Sequence, residues 1–347
     1  MRPGLLTPTR SYKPIRYPWA LEACRRQHEI HWLPQEIPLG EDIRDWRTLL
    51  TDTERSLLMN IFRFFTQADV EVNDCYMTRY SQVFMPTEVR MMLSAFSGME
   101  TVHILAYALL LETLGVPDDE FSAFLRVPAM ATKVDYMSQF GVETTDDILL
   151  TTAMFGGATE GLSLYSMFAM LMSFPQRNRM KGMGQIVSWS VRDESLHAAS
   201  IIKLHNTLAD EVGGRPAHLD DYIVGMFEDV VRQEDAFIDV AFEAGPIPAI
   251  TPEEMKQYIR FVADWRLGQL RLPPHFGVSE HPLPWLQILL SGQEHANFFE
   301  ARATEYAKGA TRGEWDGAGG VWDAFQSVPV RRPSDLPAAR PEGYYER

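Results

Sequence analysis

The feature that most constrains this chain is a run of 27 residues, 148–174, with only one charged side chain, Glu160. Asp146 lies just before the run, and Pro175 closes it. A helix this apolar is typical of a protein core, where a lone carboxylate is costly unless it is paired, protonated or bound to a metal ion. The run therefore predicts a core helix, and it predicts nearby partners for Glu160.

A membrane span is the alternative for this run, because its length suffices to cross a bilayer as a helix. Gly156, Gly157 and Gly161 interrupt the run, however, and neither a second such run nor a basic N-terminal flank accompanies it. No signal peptide is recognised either. We therefore expect a buried helix, with no membrane partner.

Composition narrows the class of protein. The net charge of −15 argues against a nucleic-acid-binding surface. The 347 residues, 46% of them hydrophobic, are enough for a sizeable core. Two cysteines, Cys24 and Cys75, give neither a disulfide framework nor zinc-finger spacing, which is typical of a reducing cytoplasm. We expect a cytoplasmic protein with no nucleic-acid partner.

Long helical patterns follow one another along the chain, and strand-like alternation is scarce, so the sequence predicts an all-α fold. Thr51 and Asp52 suit the start of the first long helix. The predicted helices cover 51–81, 86–114, 118–139, 146–173, 178–208, 219–244 and 251–268. We expect an N-terminal extended strap over 1–50, a helical domain over 51–307 and a flexible C-terminal tail over 308–347.

Two of the predicted helices each carry a Glu and a His at i and i+3, which places both side chains on one helix face. The pairs are Glu100 with His103, and Glu194 with His197. Each pair interrupts an apolar stripe. Either pair alone is compatible with a partly buried ion pair on a helix face, but two such pairs together with Glu160 indicate a shared polar cluster in the core.

A fourth helix offers two candidate carboxylates. Asp69 lies on the apolar stripe that also carries Phe65 and Tyr76, whereas Glu71 lies on a neighbouring face that is typical of a solvated charge. Asp69 is therefore the better candidate.

The resulting set has one carboxylate from each of two helices and an E-x-x-H pair from each of two others. This pattern matches that of ferritin-like di-iron and di-manganese carboxylate proteins. Four carboxylates neutralise two divalent cations, and oxygen with imidazole donors, without thiolates, suits iron or manganese. We expect a ferritin-like helical bundle with extra helices and a di-metal site in the bundle core.

At these residues the chain resembles the small, radical-generating subunit of class I ribonucleotide reductase, over roughly residues 25–270. The order and spacing of the shared motifs are much more specific than a single E-x-x-H pair. The motifs are Trp32-Leu-Pro-Gln-Glu, the F-F-x-x-x-D tract ending at Asp69, Glu100-Thr-Val-His103 followed by Tyr107, Glu160, and Arg192-Asp193-Glu194-Ser-Leu-His197.

The resemblance implies roles for individual residues. Tyr107 matches the family's residue that forms a stable tyrosyl radical. Trp32 and Asp193, with His103, match the family's route for an electron and a proton toward the partner subunit. The residues that match the family's metal ligands are Asp69, Glu100, His103, Glu160, Glu194 and His197.

The resemblance also implies an activity, cofactors and partners. Each chain would hold two transition-metal ions, iron or manganese, bridged by oxygen species. This centre would activate oxygen to form an oxidising equivalent for a separate large catalytic subunit. That subunit reduces ribonucleotides to deoxyribonucleotides for DNA replication, so the chain would be a ribonucleoside-diphosphate reductase small subunit, an oxidoreductase active only with its partner. A homodimer of small subunits is also expected.

The position of Tyr107 agrees with a redox role, because it lies one helical turn beyond His103 on the face that carries the cluster. On its own, Tyr107 would be read as a core tyrosine with a bonded hydroxyl. Candidate walls of an apolar pocket around it are Leu164, Phe168 and Val187.

The sequence leaves several points open. Cys24 and Cys75 are far apart, so no dithiol for nucleotide reduction is apparent in this chain. The tail carries Tyr344 and Tyr345, which match the family's docking tail only weakly. The donors do not separate iron from manganese. A di-metal oxygenase or oxidase acting on a hydrophobic substrate, and an iron-storage protein, are the alternatives. The first needs a substrate tunnel at the metals, and the second needs a cage-forming oligomer.

Overall fold

The computed structural model describes residues 4–9 and 11–289 of the chain. Within these residues the regular structure is helical, and the sole β feature is an isolated bridge between Ile247 and Ile250. The prediction of an all-α fold is confirmed. The predicted tail, 308–347, lies outside the described residues.

The described part of the chain contains ten α-helices of eight or more residues. They are α1 (Pro18–Glu29), α2 (Gly40–Thr48), α3 (Asp52–Asp74), α4 (Thr87–Leu114), α5 (Pro128–Met137), α6 (Thr145–Thr152), α7 (Leu164–Met172), α8 (Lys181–Glu211), α9 (Ala217–Ala241) and α10 (Pro252–Gln269). The central bundle is formed by α3, α4, α8 and the rod that runs from α6 to α7, and the other helices pack around it. This bundle positions the candidate site.

The interpretation of residues 1–50 as an extended strap is wrong for two segments, because α1 and α2 lie within it. The buried face of α1 has helical spacing, but its members are small or polar: Ala20, Ala23, Cys24 and Gln27. A face without large apolar residues gives little periodic signal. The predicted helix over 118–139 is also divided. A 3₁₀ segment, Asp118–Arg126, precedes α5, because Pro128 favours the first turn of a new helix.

Two of the core rods contain π-helical segments, which the sequence did not predict. The helix α3 continues into the π segment Cys75–Tyr80, and α6 is joined to α7 by the π segment Ala153–Ser163. Glu160 lies in the second of these segments. Short π segments occur often at functional sites, because the wider turn changes which side chains face inward.

Close packing explains the glycines that interrupt the apolar run. A Cβ at Gly161 would lie 2.7 Å from the carbonyl oxygen of Gly156 and 2.8 Å from Nε of Arg266. A Cβ at Gly156 would lie 2.6 Å from Ile201. Arg266, buried on α10, donates from Nε to the carbonyl oxygen of Gly161 at 2.8 Å. The run 148–174 is therefore a tightly packed core rod, as the sequence predicted.

The helix that carries the second E-x-x-H pair is anchored at its N-terminus by α2. Asp42 accepts hydrogen bonds from the backbone N–H groups of Gly182 and Met183, both at 2.8 Å, and Asp45 accepts one from Met180 at 3.0 Å. Carboxylates satisfy the free N–H groups of a first helical turn and interact favourably with the helix dipole. The segment before residue 51 therefore supports α8.

Asp42→Ala is expected to lower the free energy of unfolding of the metal-free protein by about 1–2 kcal/mol, because two buried N–H groups lose their acceptor. Chemical denaturation monitored by circular dichroism measures this change. The control is Glu41→Ala, whose ion pair with Lys181 is exposed and is expected to contribute less than about 1 kcal/mol. Equal stabilities for the two variants would contradict the anchoring role of Asp42.

Among the described helices, α4 is long and apolar enough to cross a membrane by length and composition, and 56% of its most apolar window is buried inside the fold. Core helices of folded domains pass the same test, so this feature is weak evidence for a membrane span.

Candidate metal centre

The candidate site lies inside the central bundle, where four helical rods meet. Asp69 comes from α3, Glu100 and His103 from α4, Glu160 from the π segment between α6 and α7, and Glu194 and His197 from α8. Each of the six side chains is at most 1% exposed. The fold brings together the six residues that the sequence analysis named.

The donor atoms form two adjacent groups, and within each group they lie within 4.8 Å of one another. The first group contains Asp69, Glu100, His103 and Glu194, and the second contains Glu100, Glu160, Glu194 and His197. Glu100 and Glu194 belong to both groups. The arrangement is therefore two neighbouring sites that share two carboxylates.

Both histidines present Nδ1 to the cluster. His103 Nδ1 lies 3.1 Å from Glu194 Oε1, and His197 Nδ1 lies 2.8 Å from Glu100 Oε1. The other ring nitrogens point outward, His103 Nε2 to Asp193 at 3.2 Å and His197 Nε2 to Gln27 at 3.0 Å. An outer hydrogen bond of this kind fixes the tautomer and the ring orientation of a metal-binding histidine.

Several buried oxygen and nitrogen atoms of the cluster, all of which could bind a metal ion, have no hydrogen-bond partner in the described part of the protein. They are Asp69 Oδ2, Glu100 Oε1, Glu160 Oε2, both carboxylate oxygens of Glu194, and His197 Nδ1. Glu100 Oε1 and His197 Nδ1 are only 2.8 Å apart, yet their geometry is not that of a hydrogen bond. Unpartnered buried polar atoms are rare and costly. Convergent, unpartnered oxygen and imidazole donors fit a pair of transition-metal ions.

The electrostatics of the metal-free cluster agree with this fit. Burial, together with neighbouring carboxylates, raises the pKa of Asp69 and Glu160 well above the usual range, and it also raises the pKa of Glu194. Burial alone would raise the pKa of Glu100 too, but His103 and His197 beside it lower that pKa. Four buried carboxylates cannot all be charged unless cations accompany them.

Tyr107 lies one turn beyond His103 on α4 and is fully buried. Its hydroxyl donates to Ser190 Oγ on α8 at 2.8 Å. The ring of Phe65 meets the Tyr107 ring edge-on, with the ring centroids 4.3 Å apart. Burial, followed by the charge of Asp69, raises the pKa of Tyr107 well above its usual value. The phenol is therefore protonated, dry and next to the first group.

The three residues predicted to wall this pocket are all in the core: Leu164, Phe168 and Val187. Phe168 stacks edge-on against Phe65, with the ring centroids 5.4 Å apart, and it thus lies behind the ring that touches Tyr107. The sequence analysis did not name Phe65 as a wall of this pocket, although it placed Phe65 on the stripe of Asp69.

Trp32, Asp193 and His103 form a continuous chain from the cluster outward. Trp32 Nε1 donates to Asp193 Oδ2 at 2.8 Å, and the same oxygen lies 3.2 Å from His103 Nε2. The Trp32 and His103 rings are also stacked, with centroids 6.0 Å apart. Burial alone would raise the pKa of Asp193, but the hydrogen bond with His103 and the charges of His103 and Arg192 lower it. The three predicted residues are thus in direct contact.

Sequence reasoning missed two residues of the site. Gln27 on α1 donates to Asp193 Oδ1 at 3.4 Å and bonds to His197 Nε2 at 3.0 Å, so one amide joins two residues of α8, one of which also contacts His103 on α4. Its segment had no recognisable periodicity. Ser190 is the hydrogen-bond partner of Tyr107, and its signal was available, because it lies seven residues before His197 on the same helix face.

The helical bundle and its buried carboxylate–histidine cluster define the class of this protein, the ferritin-like di-metal carboxylate proteins. A family model described as "Ribonucleotide reductase, small chain" matches residues 9–282. The chain therefore belongs to the ribonucleotide reductase small-chain family.

Relatives and solved structures agree with this assignment. The probable ribonucleoside-diphosphate reductase small subunit of Invertebrate iridescent virus 6 is 39% identical over 351 residues, which cover 90% of this chain and 98% of that protein. The ribonucleoside-diphosphate reductase subunit beta of Chlamydia pneumoniae is 28% identical, with 84% of this chain and 88% of that protein covered.

Among solved structures, the R2 subunit of Clostridium botulinum ribonucleotide reductase has a TM-score of 0.75 and 22% identity, covering 81% of this chain and 91% of that one. The dimanganese(II)-NrdF of Streptococcus sanguinis has a TM-score of 0.70 and 19% identity, covering 80% and 96%. These similarities support the ferritin-like fold.

Proposed function

We propose that Asp69, Glu100, His103, Glu160, Glu194 and His197 bind two iron or manganese ions in this ribonucleotide reductase small subunit, and that Tyr107 stores the oxidising equivalent. The observation that carries the proposal is the pair of donor groups that share Glu100 and Glu194 and leave buried oxygens unpartnered. When bound, the two metal ions supply the one-electron oxidising chemistry that oxygen makes available.

The residues of the chain prepare Tyr107 for this chemistry. Burial keeps its pKa high, so the phenol holds its proton on the hydroxyl, which donates to Ser190. Loss of an electron from the ring must therefore be coupled to loss of that proton. Phe65 covers the ring edge-on and keeps water away, which protects an oxidised tyrosine.

Trp32 and Asp193 provide the proposed route out of the cluster. Asp193 holds the outer nitrogen of His103 and the indole N–H of Trp32 on one oxygen, so a proton and an electron can pass between the two rings without a gap. Arg192 donates to Asp193 and to the carbonyl oxygen of Ile30, which ties this carboxylate to the end of α1.

Metal analysis coupled to electron paramagnetic resonance after aerobic reconstitution tests the proposal. We expect two transition metals per chain and an organic radical signal that appears only when the metals and oxygen are both supplied. Fewer than two metals at saturation would contradict the assignment of the cluster. The same measurement with iron, with manganese and with both identifies the active metal.

The chain, as a small subunit, works with a large subunit that reduces the nucleotide. Cys24 and Cys75 are both buried free thiols on different elements, α1 and the π segment Cys75–Tyr80. We expect the isolated chain to show no ribonucleotide reduction, and activity to appear when the large subunit is added. Activity of the isolated, homogeneous chain would contradict this division of labour.

The C-terminal segment is proposed as the docking element for the large subunit. Removal of residues beyond about 310, which include Tyr344 and Tyr345, is expected to weaken that association while leaving the metal content at two per chain. Surface plasmon resonance measures the first quantity, and elemental analysis measures the second. Unchanged affinity after truncation would show that docking occurs elsewhere.

A homodimer formed through long helices is a further part of the proposal. The outer face of α4 carries Met91, Gly98 and Leu105 at seven-residue spacing, and Met91 and Leu105 are 37% and 60% exposed. Leu105→Glu is expected to shift the protein toward a monomer in light scattering. The control is Leu125→Glu, at a side chain that is 64% exposed outside this face, which is expected to leave the dimer intact.

The alternatives considered from sequence are less well supported. The family assignment favours the reductase over di-metal oxygenases, oxidases and iron-storage proteins. We propose a cytoplasmic location, which suits the two free cysteines.

A further inference from the structure

Tyr76 is a second tyrosine at the cluster, in contact with Glu160 of the second donor group, and the proposed function does not use it. It lies in the π segment Cys75–Tyr80 and is 2% exposed. Its hydroxyl donates to Glu160 Oε1 at 2.7 Å. A buried phenol that bonds directly to a cluster carboxylate restricts how that carboxylate can turn.

The hydrogen bond joins the two π segments of the core. Glu160 lies in the segment Ala153–Ser163, and Tyr76 lies near the start of the segment that extends α3. Tyr76 and Asp69 are seven residues apart, so both face the bundle core from one helix. Asp69 is a member of the first donor group, whereas Tyr76 touches a member of the second. Both groups are therefore reached from α3.

Tyr76 also contacts the other residue that belongs to the second group alone. Its ring meets the His197 ring edge-on, with the ring centroids 6.2 Å apart. Phe96 covers the same imidazole, with centroids 4.2 Å apart. The two ligands that the first group lacks, Glu160 and His197, are thus both held by Tyr76, one through a hydrogen bond and one through ring packing.

The hydrogen bond from Tyr76 places the two oxygens of Glu160 in different environments. Oε1 accepts the phenol hydrogen bond, and Oε2 is buried without a hydrogen-bond partner. Rotation of the carboxylate would break the bond to Tyr76 and leave a buried hydroxyl unsatisfied, which costs about 1–3 kcal/mol. Tyr76 therefore holds the carboxylate in one orientation, with Oε1 occupied by the phenol and Oε2 left unpartnered.

We propose that Tyr76 is a positioning residue that fixes the orientation of the Glu160 carboxylate, and that it thereby sets the metal affinity of the second donor group without affecting the first. This inference rests on the proposed two-metal function of the cluster. Loss of the Tyr76 hydroxyl would weaken metal binding at the second donor group alone. Tyr76 would therefore influence the order in which the two donor groups bind metal.

Stepwise manganese(II) titration of the metal-free, full-length protein tests this proposal, with free manganese followed by electron paramagnetic resonance. In Tyr76→Phe, we expect the dissociation constant for one manganese ion to stay unchanged and that for the other to rise about 10–100-fold, which is typical for the loss of an outer hydrogen bond to a ligand. The exchange-coupled two-manganese signal should then appear only at higher manganese concentration.

Tyr80→Phe is the matched control. Tyr80 lies in the same π segment and is equally buried, but its hydroxyl donates to the carbonyl oxygen of Thr151 at 3.3 Å instead of to a cluster carboxylate. Both manganese constants should stay at the values of the unmodified protein. Circular dichroism and the melting temperature of the metal-free variants report folding. If Tyr76→Phe does not fold, Tyr76→Leu removes the same hydroxyl and is titrated in its place.

The possible results of the manganese titration separate the role of Tyr76 from the proposed two-metal function. Two unchanged constants in the Tyr76 variant, or an equal loss at both positions, would overturn the positioning role while leaving the two-metal proposal intact. Fewer than two manganese ions in the unmodified protein would instead overturn the proposed function itself. A loss confined to one position, absent from the Tyr80 control, supports the inference.

Discussion

Replacing Tyr107 with phenylalanine is expected to give a folded protein that binds both metals, shows no organic radical signal and supports no ribonucleotide reduction with the large subunit. The change removes only the hydroxyl, so the contact with Phe65 is kept and packing changes little. A phenol has a pKa of about 10 in water, and burial raises the pKa of Tyr107 further, so its oxidation must release a proton. Phenylalanine has no such proton to release.

Electron paramagnetic resonance and a reductase assay on the reconstituted complex measure both losses. The control is Tyr165→Phe, a buried tyrosine whose hydroxyl bonds to Ser195 Oγ at 2.7 Å, which should retain the signal and the activity. If a tyrosyl signal and activity both survive in Tyr107→Phe, the radical resides elsewhere. If activity survives with only a metal-centred signal, the metal cluster stores the oxidant and Tyr107 is a packing residue.

Glu160→Ala is expected to lower the metal content from two ions per chain to at most one. The second donor group would lose the carboxylate that it does not share with the first, leaving Glu100, Glu194 and His197. The remaining charges would no longer balance two divalent cations. Elemental analysis after saturation and desalting measures this loss, and reductase activity should disappear with it.

Glu71→Ala is the matched control for the metal ligands, because Glu71 lies on α3 two residues after Asp69 and bonds to Gln67 outside the cluster. It should keep two metals, whereas Asp69→Ala should lose one. Full metal occupancy in Glu160→Ala would contradict the assignment of Glu160 as a metal ligand. Loss of metal in Glu71→Ala would show that the choice of Asp69 over Glu71 was wrong.

The composition of the cluster could be predicted because helical geometry alone decides which side chains share a face. Glu100 with His103, and Glu194 with His197, are one turn apart within single helices, so their juxtaposition needs no knowledge of the rest of the fold. Glu160 was conspicuous as the sole charge in an apolar run. These signals are local, and the structure brings the corresponding side chains together as expected.

The parts that could not be predicted depend on contacts between distant segments. In the π segment Ala153–Ser163, the carbonyl oxygen of Gly161 accepts a hydrogen bond from Nε of Arg266, which lies 105 residues away in the sequence. Gln27 reaches the site from a helix whose buried face is too polar to give a hydrophobic pattern. Its role depends on the docking of α1 against α8, which no local signal specifies.

The π segment around Glu160 also restricts how this gene can vary in length. Loss of a single codon there would let the backbone revert to ordinary α-helical hydrogen bonding, which is locally favourable, since a π turn holds one residue more than an α turn. The flanking helical parts would keep nearly their present orientation, because the lost residue is the one that the wider turn accommodates, but side chains inside the segment would move to different positions around the helix. Glu160 and the packed glycines would then lose their alignment. A deletion of one residue would therefore give a more regular helix but a broken site.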